Sequence, residues 1–432
     1  MICAVIPINR SDFTFESSFS SIVRTYELFR PKKYVIIHAK FNSVHLEKLK
    51  YLFEELKGKE IEIEMVSTES ISDFNSFKKI IDEKTKECEK VYLVPTSGAN
   101  IMAVFLALLS KENQRYQLVN YIFSFGPWTR FYYPFVPRDL EVAYTLEGKV
   151  TDKPSLDLNL EHYLEKNEFV RNIQMFALKI NKKFDTCNEM SLNVNGVDIL
   201  KTWSVDYDET RKLLNKHVFS DANVSEALLK LSGAYDILIG GKKIEEVSYG
   251  RTVVIDTNLI YFGIHTHEIR DLAIPYCADD EILRSVNKKD NPISYIIFYV
   301  YQSLLQRSKI IPSELTICDV AIPKIQPDLI KGALVITNDK NAFERWKELS
   351  LSSYAEVKYA ELDKNSKRKS FAEVTSVIFN MASLLKLMHE KIPRSYKNSM
   401  LKLDIVEICC NKKWCIDVLS ADKSNVQKTS SL

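Results

Sequence analysis

The sequence lacks a hydrophobic run long enough to cross a membrane. Its longest apolar stretches, such as residues 101–109 and 295–301, fall well short of the roughly 20 residues that a transmembrane helix needs. It also shows no secretory leader, and its eight cysteines follow no disulfide-framework spacing. We therefore expect a cytoplasmic protein without a membrane partner, in which even the closely spaced Cys409, Cys410 and Cys415 are ordinary buried thiols rather than zinc ligands.

An excess of charge of one sign is missing as well. Lys plus Arg number 59 against 57 Asp plus Glu, a net charge of +2, so any basic surface that binds nucleic acid must be local. Neither G-x-G-x-x-G nor G-x-x-x-x-G-K-[ST] occurs, which argues against a dinucleotide or a nucleoside triphosphate as ligand.

The residues that are present predict a folded chain of the α/β class. Hydrophobic residues make up 46% of the sequence, and this length suggests roughly two to three domains. Over residues 1–150 the apolar runs ICAVIP, YVIIHA, IEIEMV and VYLVP alternate with segments of helical periodicity. This order predicts a mostly parallel, helix-covered sheet of Rossmann type. The runs NYIFSF and TRFYYPF, the latter at residues 129–135, predict two further strands.

The rest of the chain divides by the same patterns. Residues 151–248 are mainly helical in period and predict a connecting module, with a hairpin turn at Gly240 and Gly241 near its end. A second βα rhythm over residues 249–400 predicts a second α/β domain. Residues 401–420 predict a strand appendage, and residues 421–432 a disordered tail.

Four acidic residues of the second domain are expected to converge. Asp256 follows the apolar run TVVI and Asp339 follows ALVIT, and the carboxyl ends of parallel strands meet at one edge of a sheet. Glu281 and Asp319 lie between them among apolar neighbours. Clustered, buried carboxylates repel one another unless a cation binds between them. Oxygen ligands favour Mg²⁺ or Mn²⁺, which activate water to cut phosphodiesters.

The order of these acids resembles that of the PIN nuclease family over residues 250–362. It has an Asp in a DTN turn, a Glu six residues past Pro275, an Asp before an apolar segment, and TND after a strand. Asp279 and Asp280 compete with Glu281, which we keep for its spacing from the proline. The resemblance implies that four residues hold the metal, Asp256, Glu281, Asp319 and Asp339, and that two brace the site or its water, Asn258 and Thr337.

Two further groups near the acids have an open interpretation. His265 and His267 follow the DTN turn. They could contact substrate or a metal there, but the favoured interpretation is that both are solvated loop residues. Several basic residues predict either a rim that follows phosphates or a solvated face, namely Lys364, Lys367, Arg368, Lys369, Lys340, Arg345 and Lys347.

The first domain contains a candidate anion site. In VPTSGAN the turn Thr96, Ser97, Gly98 presents backbone N–H groups at the start of an apolar helix. This turn and the opening ICAVIPINRSDF resemble CARF domains, the cyclic oligoadenylate sensors of type III CRISPR defence, over residues 1–145. The resemblance implies a homodimer that shares one cyclic ligand through Asn9, Arg10, Ser11, Thr96, Ser97, Gly98, Ala99 and Asn100.

Asn100 stands where many CARF relatives carry lysine, which bears on ligand affinity and on any ring-opening activity. Together the two resemblances predict a metal-dependent endoribonuclease that cuts single-stranded RNA once activated, with cyclic tetra-adenylate favoured over cyclic hexa-adenylate. Three alternatives stay open: a CARF regulator with an inactive PIN-like interaction domain, a stand-alone toxin-like PIN nuclease, and a nuclease that acts on DNA.

Overall fold

The computed structural model describes two compact units. It covers residues 1–8, 15–38, 43–71, 73–98, 100–123, 128, 131–151, 155–183, 187–203, 205–287, 292–365, 370–392, 401–420 and 426–428. Unit 1 comprises Met1–Leu164 and Gln174–Cys187, and unit 2 comprises Glu165–Ile173 and Asn188–Leu432. Both units combine helices with sheets, so the predicted α/β class is confirmed.

Unit 1 is built on a sheet of seven strands in its described residues. The strands are β1 (Ile2–Ile8), β2 (Lys33–His38), β3 (Glu62–Ser67), β4 (Lys90–Leu93), β5 (Tyr116–Phe123), β6 (Glu141–Thr145) and β7 (Gly148–Lys149). The helices are α1 (Phe15–Phe29), α2 (Ser43–Lys48), α3 (Lys50–Gly58), α4 (Phe74–Lys84), α5 (Asn100–Glu112) and α6 (Glu168–Lys183), the last of which contributes residues to both units.

The strand order of this sheet is β3-β2-β1-β4-β5-β6-β7. β1 to β5 run parallel, and β6 and β7 are antiparallel additions. β1 and β2 are almost wholly buried, as expected of continuous apolar strands in a helix-covered parallel sheet. The chain order reverses between β1 and β4, which creates the crevice where such folds bind ligands.

The second strand expected after β5, at residues 129–135, is not formed in its described part. Residues 133–136 form a turn and a bend, and Phe135 N donates to Tyr132 O at 2.7 Å. Tyr133 and Phe135 are fully buried, and Pro134 has no N–H for a strand ladder. The apolar character of this run therefore reflects burial in the core of unit 1.

Unit 2 contains a second sheet of seven strands and a separate sheet of five in its described residues. Its strands are β8 (Met190–Val194), β9 (Val197–Lys201), β10 (Asp236–Ile239), β11 (Lys242–Lys243), β12 (Val253–Ile255), β13 (Leu272–Pro275), β14 (Lys309–Ile311), β15 (Leu334–Thr337), β16 (Glu356–Asp363), β17 (Val406–Cys410), β18 (Trp414–Asp417) and β19 (Val426–Lys428). Its helices are α7 (Tyr207–His217), α8 (Ala222–Leu231), α9 (Ile244–Val247), α10 (Thr257–Tyr261), α11 (Tyr276–Asn287), α12 (Pro292–Leu305), α13 (Cys318–Ala321), α14 (Pro327–Ile330), α15 (Lys340–Glu348) and α16 (Phe371–Lys391).

The larger sheet of unit 2 has the order β11-β10-β16-β15-β12-β13-β14. β12 to β16 are parallel, and β10 runs antiparallel to β16. Gly240 and Gly241, with φ of +57° and +80°, form the predicted hairpin turn between β10 and β11. The chain order reverses between β12 and β15, so the crevice of this sheet lies where Asp256 and Thr337 leave their strands.

The smaller sheet changes the expected organisation of the middle and the end of the chain. Its order is β19-β18-β17-β8-β9, all antiparallel. Residues 151–248 are thus not a separate helical connector, since β8 and β9 pair with strands near the C-terminus and β10 and β11 join the larger sheet. The segment expected as a disordered tail contains β19, because its backbone completes the edge of β18.

The cysteines are paired rather than free, which corrects the expectation of buried thiols. Disulfides join Cys3 to Cys88, Cys277 to Cys318 and Cys409 to Cys415, and no described cysteine is free. The pairing partners in the first two bonds are 85 and 41 residues apart, so only the fold brings them together.

One helix in the described part of the chain, α16, is long and apolar enough to span a membrane. However, 89% of its most apolar window is buried inside the protein. Its start is fixed by a capping box between Ser370 and Glu373. α16 therefore packs inside unit 2 as a core helix.

Candidate active site

The acidic site of unit 2 is centred on a shared hydroxyl at the edge of the larger sheet. Thr337 Oγ1 donates to Asp256 Oδ2 at 2.9 Å and accepts from Asp339 N at 2.9 Å. Thr337 ends β15, and Asp256 follows the neighbouring β12 with its own N–H bonded to Ile336 O at 3.0 Å. Asp256 and Asp339 therefore lie at the same edge, as the strand pattern predicts.

Asp256 is the most buried of the four acids. It is 2% exposed, and this burial raises its pKa to about 6. The charges of Glu281 and Asp319 also raise the pKa, whereas the hydrogen bond from Thr337 lowers it. The negative charges of Glu281 and Asp319 thus both act on the Asp256 carboxylate. A buried, charged Asp256 is unfavourable at neutral pH unless positive charge approaches it.

Glu281 is the acid of α11 that is directed to this site. Its Oε1 accepts a hydrogen bond from Cys318 N at 2.8 Å. Its neighbour Asp280 instead pairs with Arg284 at 2.5 Å along the same helix. The structure thus favours Glu281 over Asp280, as its spacing from Pro275 suggests.

Asp319 lies at the rim of the site and is held from α15. Its Oδ2 pairs with Arg345 Nη2 at 2.8 Å, and its backbone oxygen accepts from Trp346 Nε1 at 3.0 Å. Because Trp346 is fully buried, this contact fixes the backbone of α13 against α15. The Asp319 side chain is still about a third exposed and remains accessible to solvent.

Asp339 and Asn258 hold the site from two helix starts. Asp339 Oδ1 caps α15 by accepting from Asn341 N at 2.7 Å and Ala342 N at 3.0 Å. Asn258 Nδ2 donates to Asp256 Oδ2 at 3.2 Å. Asp339 therefore has a structural role through one oxygen, and Asn258 braces Asp256 as expected.

The donor set fits a hard divalent cation only as an open site. Among the described residues, only Glu407, Cys409 and Cys415 place three possible metal-ligand atoms within 4.8 Å of one another. The two cysteines are bonded to each other in a disulfide. The carboxylate oxygens of Asp256, Glu281 and Asp319 are not all within 4.8 Å of one another. Mg²⁺ accepts such a site, because it uses one or two carboxylates and keeps several waters.

A disulfide next to the acids was not foreseen. Cys277 stands one helical turn before Glu281, and Cys318 directly precedes Asp319. Their bond fastens α11 to α13, and Thr257 Oγ1 contacts Cys318 Sγ at 3.4 Å. The adjacency of each cysteine to a proposed ligand was a signal in the sequence, but their pairing was not.

The basic rim is present only in part among the described residues. Arg345 pairs with Asp319, whereas Lys364 pairs with Glu226 at 2.7 Å. Lys347 lies over the Phe343 ring at 5.0 Å, and Lys340 is exposed. Residues 367–369, the rest of the predicted cluster, lie outside the described residues.

His265 and His267 are buried, which corrects the favoured interpretation of a solvated loop. Each is 7% exposed. His267 Nδ1 lies 2.7 Å from Glu245 Oε1, and the His265 ring meets the edge of Phe169 at 5.6 Å. Burial, with the charges of Arg307 and His267, holds the pKa of His265 well below its ordinary value.

We expect His265 to make unit 2 sensitive to mild acid. Unfolded, the imidazole takes up a proton below its ordinary pKa of 6.5, whereas the folded site resists protonation. Stability should therefore be retained above that pH and fall below it, by up to about 1.4 kcal/mol per pH unit. Melting curves from pH 7.5 to 5 should show a shallower decline for His265→Phe. Parallel profiles for the two proteins would contradict this prediction.

The turn after β4 in unit 1 packs directly on the end of β1. Ser97 Oγ donates to Pro7 O at 2.7 Å, and a Cβ on Gly98 would stand 2.4 Å from Pro7 Cγ. Thr96 Oγ1 donates to Asn120 Oδ1 at 2.9 Å. Both hydroxyls are thus used to hold the turn. Gly98 is required there because no side chain fits between the turn and β1.

The turn leads into α5, whose first residue Asn100 is exposed. This places the helix start at the crevice between β1 and β4. Of the eight predicted ligand-binding residues, Asn9, Arg10, Ser11 and Ala99 lie outside the described residues. Thr96, Ser97, Gly98 and Asn100 are together at the end of β4.

Compared with known proteins, the chain matches no protein-family model and no curated protein.

Proposed function

We propose that this chain is a metal-dependent endoribonuclease of type III CRISPR defence that a cyclic oligoadenylate activates. The observation that carries the nuclease part is the burial of Asp256, with its raised pKa, beside Glu281 and Asp319 at the crevice of a parallel sheet. A protein gains nothing in stability from this arrangement. It is suited to a cation and a phosphodiester.

Each residue of unit 2 has a distinct role in this proposal. Asp256, Glu281 and Asp319 would hold Mg²⁺ or Mn²⁺, with Asp339 contributing through the oxygen that does not cap α15. When bound, the cation would supply an activated water and would stabilise the departing oxygen. Thr337 and Asn258 orient the Asp256 carboxylate through their hydrogen bonds.

The sensor part rests on the crevice of unit 1. The tight packing of Gly98 on Pro7 holds the turn before α5 at the point where the strand order reverses. Helix starts and turns of this kind attract phosphate groups. The ligand that this proposal favours is cyclic tetra-adenylate, with cyclic hexa-adenylate as the alternative.

A homodimer is part of the same proposal. Ile101, Val104 and Leu108 share one face of α5, and each is between 45% and 53% exposed. Three large apolar side chains at helical spacing on an exposed face suit a second subunit. A second copy of unit 1 on this face would place two α5 starts near one symmetric ligand.

One observation favours the alternative of an inactive nuclease domain that serves regulation. Each of the four acids already has a protein partner: Thr337 and Asn258 donate to Asp256, Cys318 N donates to Glu281, Arg345 pairs with Asp319, and Asp339 caps α15. In that alternative the acidic site would bind no cation, and the protein would act through its surface.

Incubation of the purified protein with end-labelled single-stranded RNA or DNA tests the proposal. Reactions would contain Mg²⁺, Mn²⁺ or EDTA, each with cyclic tetra-adenylate, cyclic hexa-adenylate or no activator. We expect RNA cleavage with either metal and none in EDTA, with about a 5- to 150-fold increase on activation, the usual range of allosteric coupling. Cleavage that neither cyclic ligand increases would indicate a stand-alone nuclease. Cleavage of DNA but not RNA would make DNA the substrate. Cleavage that needs no metal, or no cleavage at all, would overturn the proposal.

A further inference from the structure

A disulfide bond joins two of the helices that carry the acids of unit 2. Cys277 on α11 is bonded to Cys318 on α13. Glu281 follows Cys277 by one helical turn, and Asp319 follows Cys318 directly. The bond therefore limits the distance between the two segments that hold these proposed ligands.

Cys318 is also in contact with two of the other segments at the site. Its N–H donates to Glu281 Oε1 at 2.8 Å, so the direction of the Glu281 carboxylate depends on where α13 lies. Its Sγ accepts from Thr257 Oγ1 at 3.4 Å, and Thr257 follows Asp256 at the start of α10. A shift of Cys318 would thus alter the surroundings of both acids.

Reduction of this bond requires additional space inside unit 2. Cys277 is fully buried and Cys318 is 1% exposed, and protein interiors are close-packed. Two thiols need more space than one disulfide, because sulfur atoms that are not bonded cannot approach as closely as bonded ones. We therefore expect the reduced cysteines to move α13 away from α11.

α13 is the helix that can move, although only to a limited extent. It has four residues, Cys318–Ala321, and Ile317 before it is 53% exposed. α15 still holds Asp319 through Arg345 Nη2 and Trp346 Nε1. Reduction should therefore disturb the arrangement of the acids without dismantling it.

We propose that Cys277 and Cys318 are positioning residues of the metal site and that the state of their bond regulates its affinity for Mg²⁺ or Mn²⁺. The disulfide form holds Glu281 and Asp319 near Asp256 and binds the cation, and the dithiol form binds it more weakly. This inference rests on the proposed function, because it concerns the regulation of the same metal site.

The two forms interconvert by thiol–disulfide exchange with a dithiol reductant. The bond between the two Sγ atoms breaks, each sulfur gains one electron and one proton, and the dithiol leaves as its own disulfide. The residue before each cysteine is exposed, Tyr276 at 45% and Ile317 at 53%. The buried bond thus lies next to surface residues in both helices, so a small local opening admits the reductant.

Binding of Mn²⁺ to the full-length protein tests the inference without relying on cleavage. The electron paramagnetic resonance signal of free Mn²⁺ falls as the ion binds, which gives a dissociation constant for each form. The oxidised protein would be compared with protein that a dithiol has reduced, after removal of the dithiol, and with protein that a small-molecule disulfide has reoxidised. We expect reduction to weaken binding about 10-fold, the lower end of the effect of residues around a metal's ligands, and reoxidation to restore it. Asp256→Asn should bind weakly in both forms, which assigns the signal to this site.

Alanine variants identify which disulfide is responsible. The Cys277→Ala, Cys318→Ala variant should bind Mn²⁺ as weakly as the reduced wild type and should not respond to the reductant. The matched control, Cys3→Ala, Cys88→Ala, removes a buried disulfide of unit 1 and should retain both the affinity and the response of the wild type. Because loss of a disulfide lowers stability, circular dichroism checks that both variants are folded. The reduced wild type supplies the same comparison without a substitution.

The possible outcomes separate this inference from the proposed function. Equal Mn²⁺ affinity of the oxidised and the reduced wild type would overturn the inference, and so would a response to reductant that persists in Cys277→Ala, Cys318→Ala. Redox-dependent Mn²⁺ binding without RNA cleavage in a parallel assay would support the inference and contradict the proposed nuclease. Cleavage with equal Mn²⁺ affinity in the two forms would support the nuclease alone, and absence of Mn²⁺ binding in both forms would overturn both.

Discussion

Replacing Asp256 by asparagine is expected to abolish RNA cleavage and, at the same time, to stabilise the metal-free protein at neutral and alkaline pH. The loss of cleavage should be at least about a hundredfold, because even partners in the second shell of a metal cost 10- to 100-fold when removed. The gain in stability follows from the raised pKa of Asp256, which is about 6 in the folded protein against an ordinary value of 3.8.

The sign of this effect depends on pH in a defined way. Because the folded pKa lies above the unfolded one, the favourable contribution of Asp256 is fully present below pH 3.8 and is lost as the pH rises through 6. Above that range the charged side chain costs about 3 kcal/mol. The asparagine variant carries no charge and can still accept the hydrogen bond from Thr337. Its advantage in melting temperature should therefore grow from pH 5 to pH 8.

Added metal should reverse the comparison. A cation that binds the Asp256 carboxylate raises the melting temperature of the wild type by mass action, whereas Asp256→Asn should respond little to Mn²⁺ or Mg²⁺. The matched control is Asp280→Asn, which removes an acid that pairs with Arg284; it should retain cleavage and the metal response. Equal metal responses for the wild type and Asp256→Asn would remove Asp256 from the metal site, and retained cleavage would remove the nuclease assignment.

The parallel sheets and the placement of Asp256 and Asp339 at one sheet edge were predictable because they depend on local patterns. A continuous apolar run marks a buried parallel strand, and the residue after such a strand lies at its carboxyl edge wherever the strand sits in the sheet. Two acids placed in this way converge if their strands are neighbours. β12 and β15 are neighbours, and Thr337 connects the two acids.

The smaller sheet of unit 2 was not predictable in the same way. β8 pairs with β17, so that Met190 faces Cys410, and no local pattern records a partner more than two hundred residues away. The disulfides have the same character. Of the strands of this sheet, periodicity identified only β17 and β18, and it carries no information on which strands pair.

The environment of the site was equally hidden from the sequence. Burial of His265 depends on Phe169, a residue from another part of unit 2. The ion pair between Asp319 and Arg345 joins two helices whose separation along the chain gives no sign of contact. Sequence patterns therefore located the acids, while the groups that set their charge and orientation come from tertiary packing.

The second large effect is expected in unit 1, where charged residues are buried together. Glu27 is fully buried, and its Oε1 accepts from Arg138 Nη2 at 2.5 Å and from Tyr133 OH at 2.6 Å. Its other oxygen pairs with Arg24. Arg24 also contacts Glu141 at 3.0 Å. The two arginines thus depend on Glu27 for much of their compensating charge.

Replacing Glu27 by glutamine should destabilise unit 1 by about 3–5 kcal/mol, the usual cost of removing one partner from a buried ion pair. Glutamine keeps the shape of the side chain but leaves Arg24 and Arg138 short of one negative charge, which Glu141 does not replace because it is already paired with Arg24. Urea unfolding at pH 7.5 measures the loss.

The control is Glu62→Gln, which weakens the ion pair between Lys33 and Glu62, whose own side chain is 58% exposed. This substitution should cost at most about 1 kcal/mol of unfolding free energy. Equal, small losses in the two variants would show that the buried network of unit 1 does not depend on the charge of Glu27.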